Sequence, residues 1–191
     1  MSVDLELVQR VQAGDKKAFD VLIMKYQQRI IHVITGFVHD PVEALDVAQE
    51  AFIKAYRAIP NFRGDSAFYT WLYRIAINTS KNHLTSRARR PPAMDVDAMD
   101  ATNFYDAPEL KDFDTPESSL LNHELEGVIN KAIDELPEDT ATAIKLREFE
   151  GMSYEEIAQV MDCPIGTVRS RIFRAREAID HKIKELTGEG E

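Results

Sequence analysis

Cysteine is nearly absent from this chain, since Cys163 is the only one among 191 residues. A single thiol forms no intramolecular disulfide, and a cysteine-based zinc site needs several thiolates at short spacing. The five histidines, at positions 32, 39, 83, 123 and 181, show no metal-ligand spacing either. We therefore expect no metal, no cofactor and a reducing compartment, with Cys163 as a small buried hydrophobe.

Long apolar runs are missing as well. The most apolar stretch, RIIHVITGFV, is short and contains arginine and histidine, whereas a membrane span needs about twenty apolar residues. The amino terminus, MSVDLELVQR, lacks the basic and apolar segments of a signal peptide. We expect a cytoplasmic protein without direct membrane insertion.

Glycine is also sparse, with 8 residues, and none of them forms a Gly-rich phosphate loop. No nucleophile and base stand at a recognisable catalytic spacing. The sequence therefore favours neither an enzyme nor a protein with a small-molecule substrate.

The net charge of −10 is unevenly distributed. Residues 1–90 carry 13 Lys and Arg against 9 Asp and Glu, residues 91–139 carry 2 against 14, and residues 140–191 carry 8 against 10. The acidic excess therefore belongs to the middle of the chain, which leaves room for basic faces at both ends.

Residues 91–117 have the composition of a linker, with a Pro-Pro start, no sustained helical period, and eight acids against one lysine. Two interpretations are open: a solubilising spacer, and an acidic strap that occupies a basic channel. In both, the segment separates an amino-terminal domain, residues 1–90, from a carboxy-terminal domain, residues 118–191.

The hydrophobic periodicity predicts helices and no strands, so the expected fold class is all-α, with two small helical domains joined by a flexible acidic linker. Four helices are predicted before the linker, at about 3–13, 17–38, 42–58 and 66–87, with Ser66 as the N-cap of the fourth. After it, Thr115 and Pro116 start a helix that reaches Leu136. Helices at 137–150 and 152–161 and a last one after the Asp-Cys-Pro turn complete the chain.

The last two helices have the spacing of a helix-turn-helix unit, whose second helix enters the DNA major groove. Glycine, which is frequent in such turns, is replaced by Asp162 and Cys163. The predicted inner core of the unit consists of Ile157, Ala158, Met161, Ile165 and Val168.

The last helix carries four arginines within eight residues. At 100° per residue, its buried face consists of Val168, Ile172, Ala175 and Ile179. Ser170, Phe173 and Arg174 point outward, while Arg169, Arg171 and Arg176 lie on the two flanks. Outward groups suit base edges and flanking guanidiniums suit phosphates, which indicates a DNA-binding helix.

Two other predicted helices have unusual outer faces. The fourth leaves only a narrow stripe for solvent, formed by Trp71, Arg74, Asn78 and Lys81. Aromatic, cationic and amide groups on one stripe suit single-stranded nucleic acid, although a tryptophan is more commonly a core residue.

The third helix is predicted to bury Leu45, Ala48, Phe52, Ala55 and Ile59 and to expose Asp46, Glu50, Ile53 and Arg57, with Gln49 near the edge. An acidic face with an apolar centre suits protein docking.

Two long stretches of the sequence resemble motifs of a known protein family. The stretch DVAQEAFIKAYRAIPNFRGDSAFYTWLYRIAINTSKNHL resembles region 2 of bacterial RNA polymerase sigma factors, and LPEDTATAIKLREFEGMSYEEIAQVMDCPIGTVRSRIFRARE resembles region 4. The combination is similar to the extracytoplasmic-function (ECF) group, in its sigma-E/AlgU-like branch, over nearly the whole chain.

The resemblance implies partners and site residues. It implies binding to core RNA polymerase at the β′ clamp and the β flap, with the clamp contact at Asp46, Gln49, Glu50 and Ile53. It implies that Phe62, Arg63 and Ser66, with Asn78 beside them, read the melted −10 promoter element. It also implies that Arg169, Ser170, Phe173 and Arg174 read the duplex −35 element, and that the linker threads toward the RNA exit path.

The resemblance further implies an alternative sigma factor for envelope stress. A membrane-anchored anti-sigma factor would hold it inactive and could retain it at the inner membrane. A different hypothesis from the residues alone is an operator-binding regulator whose amino-terminal helices serve dimerisation or sensing. That protein would bind duplex DNA by itself and would have no affinity for core polymerase.

Overall fold

The computed structural model describes residues 2–89 and 127–187, which fall into two compact units whose boundary lies within residues 90–126. Within the described residues every regular element is helical and there is no strand, which confirms the all-α class. The predicted linker, 91–117, and the helix start at Thr115 and Pro116 lie outside those residues.

The first unit contains four α-helices and one 3₁₀ turn: α1 Val3–Gln12, α2 Lys16–Thr35, α3 Pro41–Ala58, the turn Ile59–Asn61, and α4 Phe68–Ala88. Side-chain oxygens of Ser2, Asp15 and Asp40 accept hydrogen bonds from the first-turn amides of α1, α2 and α3. These caps satisfy backbone donors that have no intrahelical partner. α3 therefore begins at Pro41, one residue before the start that the sequence predicted.

The core of the first unit is built around α2, which packs against α1, α3 and α4. Its fully buried side chains include Leu22, Ile30 and Ile34, opposite Leu72 and Tyr73 of α4. On α1, Leu7, Val8 and Val11 are buried, and Leu5 is half-buried.

The second unit contains α5 (127–134 among the described residues), α6 Glu138–Glu148, α7 Tyr154–Met161 and α8 Ile165–Thr187. α7 starts in a capping box, in which Ser153 Oγ accepts from the Glu156 amide and the Glu156 carboxylate accepts from the Ser153 amide. Asp162 ends α7 with a φ of 51°. Aspartate tolerates this left-handed conformation, so the turn forms without the usual glycine.

The predicted core of the helix-turn-helix unit is confirmed for half of its residues. Ile157, Val168, Ile172 and Ala175 are buried, together with Val160, which was not predicted. Four predicted core residues are only half-buried, namely Ala158, Met161, Ile165 and Ile179. α8 packs against both α6 and α7, so its remaining face is the outward one.

Candidate functional site

The outward face of α8 is open as predicted. Phe173 is 62% exposed, which is unusual for a large aromatic ring in a solvated helix. Arg169, Ser170 and Arg174 are also exposed, and neither arginine forms an ion pair with another residue of the described ranges. We call Arg169, Ser170, Phe173 and Arg174 the recognition face; the Ser170 hydroxyl donates to the Gly166 carbonyl at 2.9 Å.

Arg171 does not lie on an open flank, which corrects the prediction. Its side chain is 21% exposed, and its Nη2 donates to Asp139 Oδ2 at 2.6 Å. Its Nη1 also lies 3.4 Å from Cys163 Sγ. Because position 171 borders the buried face, its guanidinium reaches the first turn of α6 rather than solvent. Cys163 itself is half-buried rather than buried.

Arg176 lies on the other flank and has an acidic partner. Its Nη2 donates to Glu148 Oε1 at 2.7 Å, and this hydrogen bond raises the pKa of the guanidinium. The side chains of Arg176 and Glu148 are both about half exposed. The pair therefore leaves the guanidinium accessible, and contact with a phosphate requires an exchange of partners.

The stripe on α4 is partly as predicted. Arg74 and Asn78 are exposed, whereas Trp71 and Lys81 are half-buried. The Trp71 ring packs against Phe62 and Phe68, with centroid distances of 5.1 and 5.6 Å. We call Trp71, Arg74, Asn78 and Lys81 the single-strand face; part of the Trp71 ring belongs to the core.

Phe62 is a core residue, and the prediction that its ring lies on an exposed nucleic-acid face is wrong. It is 9% exposed, because its ring fills the space between Phe68 and Trp71. The prediction that Ser66 caps α4 is also wrong, since the N-cap position belongs to Ala67 and no side chain caps the helix.

The loop between the 3₁₀ turn and α4 is exposed beyond Phe62. Arg63 is 84% exposed and lies 3.3 Å from Asp65. Gly64 has a φ of 78°, a conformation that side chains with a Cβ rarely adopt. Ser66 is half-buried, and its hydroxyl donates to the Ala67 carbonyl.

The outer face of α3 is more apolar than the sequence predicted. Asp46, Gln49, Glu50 and Ile53 are exposed as expected, but Leu45, predicted to be buried, is 54% exposed, and Val42 is exposed as well. The buried face consists of small residues, namely Ala44, Val47, Ala48, Ala51 and Ala55. We call the outward set the docking surface: Val42, Leu45, Asp46, Gln49, Glu50 and Ile53.

The run of alanines was the signal that sequence reasoning missed. At about 100° per residue, the buried positions 44, 47, 48, 51 and 55 share one side of α3, and Leu45 lies outside that arc. Leu45 therefore faces outward, where it forms part of the docking surface.

A groove in the second unit was not predicted at all. It has a volume of about 600 Å³ and lies between α5, α6 and α8. Its apolar lining consists of Ile129, Ile133, Ile144, Phe149, Ile179 and Ile183. Glu148 and Arg176 lie at the same groove, so it adjoins the recognition helix.

The described ranges contain neither a metal-binding cluster nor a membrane-spanning helix. No three His, Cys, Asp or Glu side chains within 2–89 and 127–187 are arranged to hold a metal ion. No helix in the described part of the chain is long and apolar enough to span a bilayer.

Comparison with known proteins gives consistent matches. The family model described as Sigma-70 region 2 matches residues 22–90, and the model described as Sigma-70, region 4 matches residues 127–179. The RNA polymerase sigma-H factor of Pseudomonas aeruginosa is 63% identical over 97% of this chain and 96% of its own length. The ECF RNA polymerase sigma-E factor of Escherichia coli K12 is 56% identical over 96% of this chain and 95% of its own.

A solved structure has the same fold at low identity. The sigma factor RpoE of Bartonella quintana, solved with the anti-sigma factor NepR, is 22% identical, with a TM-score of 0.63 over 88% of this chain and 98% of that one.

The helix-turn-helix unit and the recognition face define a DNA-binding protein of the all-α class. With both region models matching in order, the chain belongs to the sigma-70 family of RNA polymerase sigma factors, in its ECF group. It is a transcription initiation factor of the alternative type, which binds core RNA polymerase and directs it to promoters. An operator-binding regulator does not account for the region 2 match.

Proposed function

We propose that the docking surface on α3 binds the β′ clamp of core RNA polymerase. The observation that carries this proposal is the exposure of Val42, Leu45 and Ile53 among the acids Asp46 and Glu50. Exposed apolar side chains ringed by charges are typical of protein interfaces. The apolar groove between α5, α6 and α8 offers a second contact, which we assign to the β flap.

The single-strand face and the loop before α4 form the proposed −10 site. Arg63 and Asn78 are exposed, and Arg74 lies one turn before Asn78 on the same helix face. Cations follow a nucleic-acid backbone, and the half-exposed ring of Trp71 offers a surface for base stacking. Ser66 precedes α4 at one edge of this site, and Lys81 lies at the carboxy-terminal end of the stripe. The buried ring of Phe62 packs against Trp71 and supports it.

The recognition face forms the proposed −35 site. Arg174 and Ser170 reach base edges, Phe173 makes apolar contact, and Arg169 and Arg176, which share one flank of α8, hold phosphates. Arg171 is left out of this set because its guanidinium is bound to Asp139.

The proposed regulation follows the family. We assign the chain to the cytoplasm, where a membrane-anchored anti-sigma factor would hold it inactive until envelope stress releases it. The fold shared with the B. quintana sigma factor, which is bound to its anti-sigma factor, supports this proposal.

In vitro transcription with core polymerase on a library of promoter fragments tests the assignments together. The wild-type chain should select a subset of promoters with shared −10 and −35 sequences. Charge reversal at Asp46 and Glu50 should abolish transcription from all of them, whereas Arg174→Ala should change which −35 sequences are selected. Duplex binding without any transcription would contradict the proposal.

A further inference from the structure

The first helix lies outside the family match but touches the proposed −10 site. The region 2 match begins at residue 22, whereas α1 ends at Gln12. A Cβ placed on Gly64, in the loop before α4, would meet Leu5 Cδ1 at 3.6 Å. The loop therefore lies directly against α1, a helix to which the region 2 match assigns no role.

The main link is the side chain of Gln12. Its Nε2 donates to the carbonyl oxygens of both Ile59 and Phe62, each at 2.9 Å. The two acceptors lie 47 and 50 residues away in sequence, so these are long-range contacts. Both hydrogens of one amide group are thus used on one short turn.

These two carbonyls are at the two ends of the 3₁₀ turn. The Ile59 carbonyl also accepts from the Phe62 amide at 3.0 Å, which closes the turn. The Phe62 carbonyl is the last backbone acceptor before the exposed segment that begins at Arg63. Gln12 therefore fixes the direction in which the chain leaves the core and enters the loop.

The position of Phe62 makes this direction important for the single-strand face. The Phe62 ring packs against Trp71, and the Phe62 backbone carbonyl accepts from Gln12. A shift of the Phe62 backbone would therefore also move the Trp71 ring. The same residue thus connects the exposed loop at Arg63 to the ring of Trp71.

We propose that Gln12 is a positioning residue for the −10 site: it holds the loop from Arg63 to Ala67 in the conformation that receives an unpaired base. This inference rests on the proposed −10 assignment. It extends the single-strand site to a helix that the region 2 match does not include. Pre-organised loops bind more tightly because less ordering is left to occur on binding.

The test uses Gln12→Met, which keeps the length of the side chain and removes both donors, and Gln12→Glu, which places a carboxylate against two carbonyls. Gln9→Met is the matched control, because Gln9 is exposed on the same helix and its side chain forms no hydrogen bond to the loop within the described residues. Each variant is assembled with core polymerase on a promoter recovered from the library.

Permanganate reactivity of the −10 thymines measures promoter opening, and competition among −10 base variants measures selectivity. We expect Gln12→Met to lower the open fraction about tenfold, the effect of losing hydrogen bonds of ordinary strength, and to flatten base selectivity at one −10 position. Gln12→Glu should be at least as severe. Core affinity, −35 duplex binding and circular dichroism should stay at wild-type values, and Gln9→Met should be normal.

Each other outcome has a definite meaning. If Gln12→Met and Gln12→Glu open promoters normally while Asn78→Ala does not, the role of Gln12 is wrong and the −10 assignment stands. If Asn78→Ala and Arg63→Ala are also normal, the −10 assignment itself is wrong. A parallel loss of core affinity, duplex binding and opening would show a general loss of fold and would overturn the positioning role.

Discussion

The guanidinium of Arg171 lies 2.6 Å from the carboxylate of Asp139, which ties the recognition helix α8 to the first turn of α6. Its second contact, with Cys163 Sγ, reaches the turn before α8. One largely buried side chain therefore connects α8 to α6 and to the turn that precedes α8, and it sets how α8 is held.

We expect Arg171→Gln and Asp139→Asn to lower the free energy of unfolding by similar amounts, about 1 kcal/mol, because both break the same ion pair. The double variant should cost little more than either single change. Chemical denaturation measures this. A phosphate-binding Arg171 would behave differently: Arg171→Gln would lower the salt slope of DNA binding by about one, and Asp139→Asn would strengthen binding.

Arg174 and Arg176 should differ in what they contribute to DNA binding. Arg174→Ala should cost about 1–3 kcal/mol at the preferred −35 sequence and relax selectivity at one position, since it lies on the recognition face. Arg176→Ala should weaken all sequences alike and reduce the salt slope by about one. Binding by holoenzyme at several salt concentrations separates the two, and equal sequence-independent losses would contradict the assignment.

Glu148→Gln should have the opposite effect from Arg176→Ala. The ion pair at 2.7 Å must open before Arg176 reaches a phosphate, so its removal should strengthen binding to every duplex by a few fold. Fluorescence anisotropy with matched and scrambled −35 duplexes measures this. Unchanged affinity for both duplexes would mean that Arg176 stays with Glu148 in the complex.

Leu45→Ser should weaken binding to core polymerase about tenfold while leaving the free energy of unfolding nearly unchanged, because Leu45 is exposed and can lose apolar contact only with a partner. Val3→Ser is the control, since Val3 is an exposed apolar residue on α1 outside the docking surface. Equal losses for the two variants, or a loss of stability with Leu45→Ser, would place the clamp contact elsewhere.

Phe62→Ala and Asn78→Ala should both impair promoter opening but differ in their effect on stability. Removal of the buried Phe62 ring should lower the free energy of unfolding by about 3 kcal/mol through the cavity it leaves. Asn78→Ala should leave stability unchanged and impair promoter opening. Thermal unfolding and permanganate footprinting measure the two effects; normal opening with Asn78→Ala would move the single-strand site.

The sequence predicted what helical periodicity determines. Val168, Ile172 and Ala175 repeat at helical spacing, so the buried side of α8 and the exposure of Phe173 followed directly. It did not predict features that depend on neighbouring elements. Arg171 is drawn to Asp139, 32 residues away, and a helical wheel contains no information about α6.

Phe62 and Leu45 were misplaced for related reasons. Phe62 lies in a segment without helical period, so only the positions of Phe68 and Trp71 show that its ring is enclosed. Leu45 was assigned to the buried side of α3, whereas the arc of buried positions is centred on the alanines and leaves Leu45 outside it.

Because the inner face of α3 is lined by alanines, the docking surface on its outer face can vary in sequence without repacking the core. Since Ala44, Ala48, Ala51 and Ala55 make the packing contacts, substitutions at Val42, Leu45, Gln49 and Ile53 change no core volume. With the proposed docking assignment, partner preference and folding would be encoded on opposite sides of one helix. A graft of another outer face onto the same alanines should transfer affinity for a different polymerase and keep the melting temperature of the host.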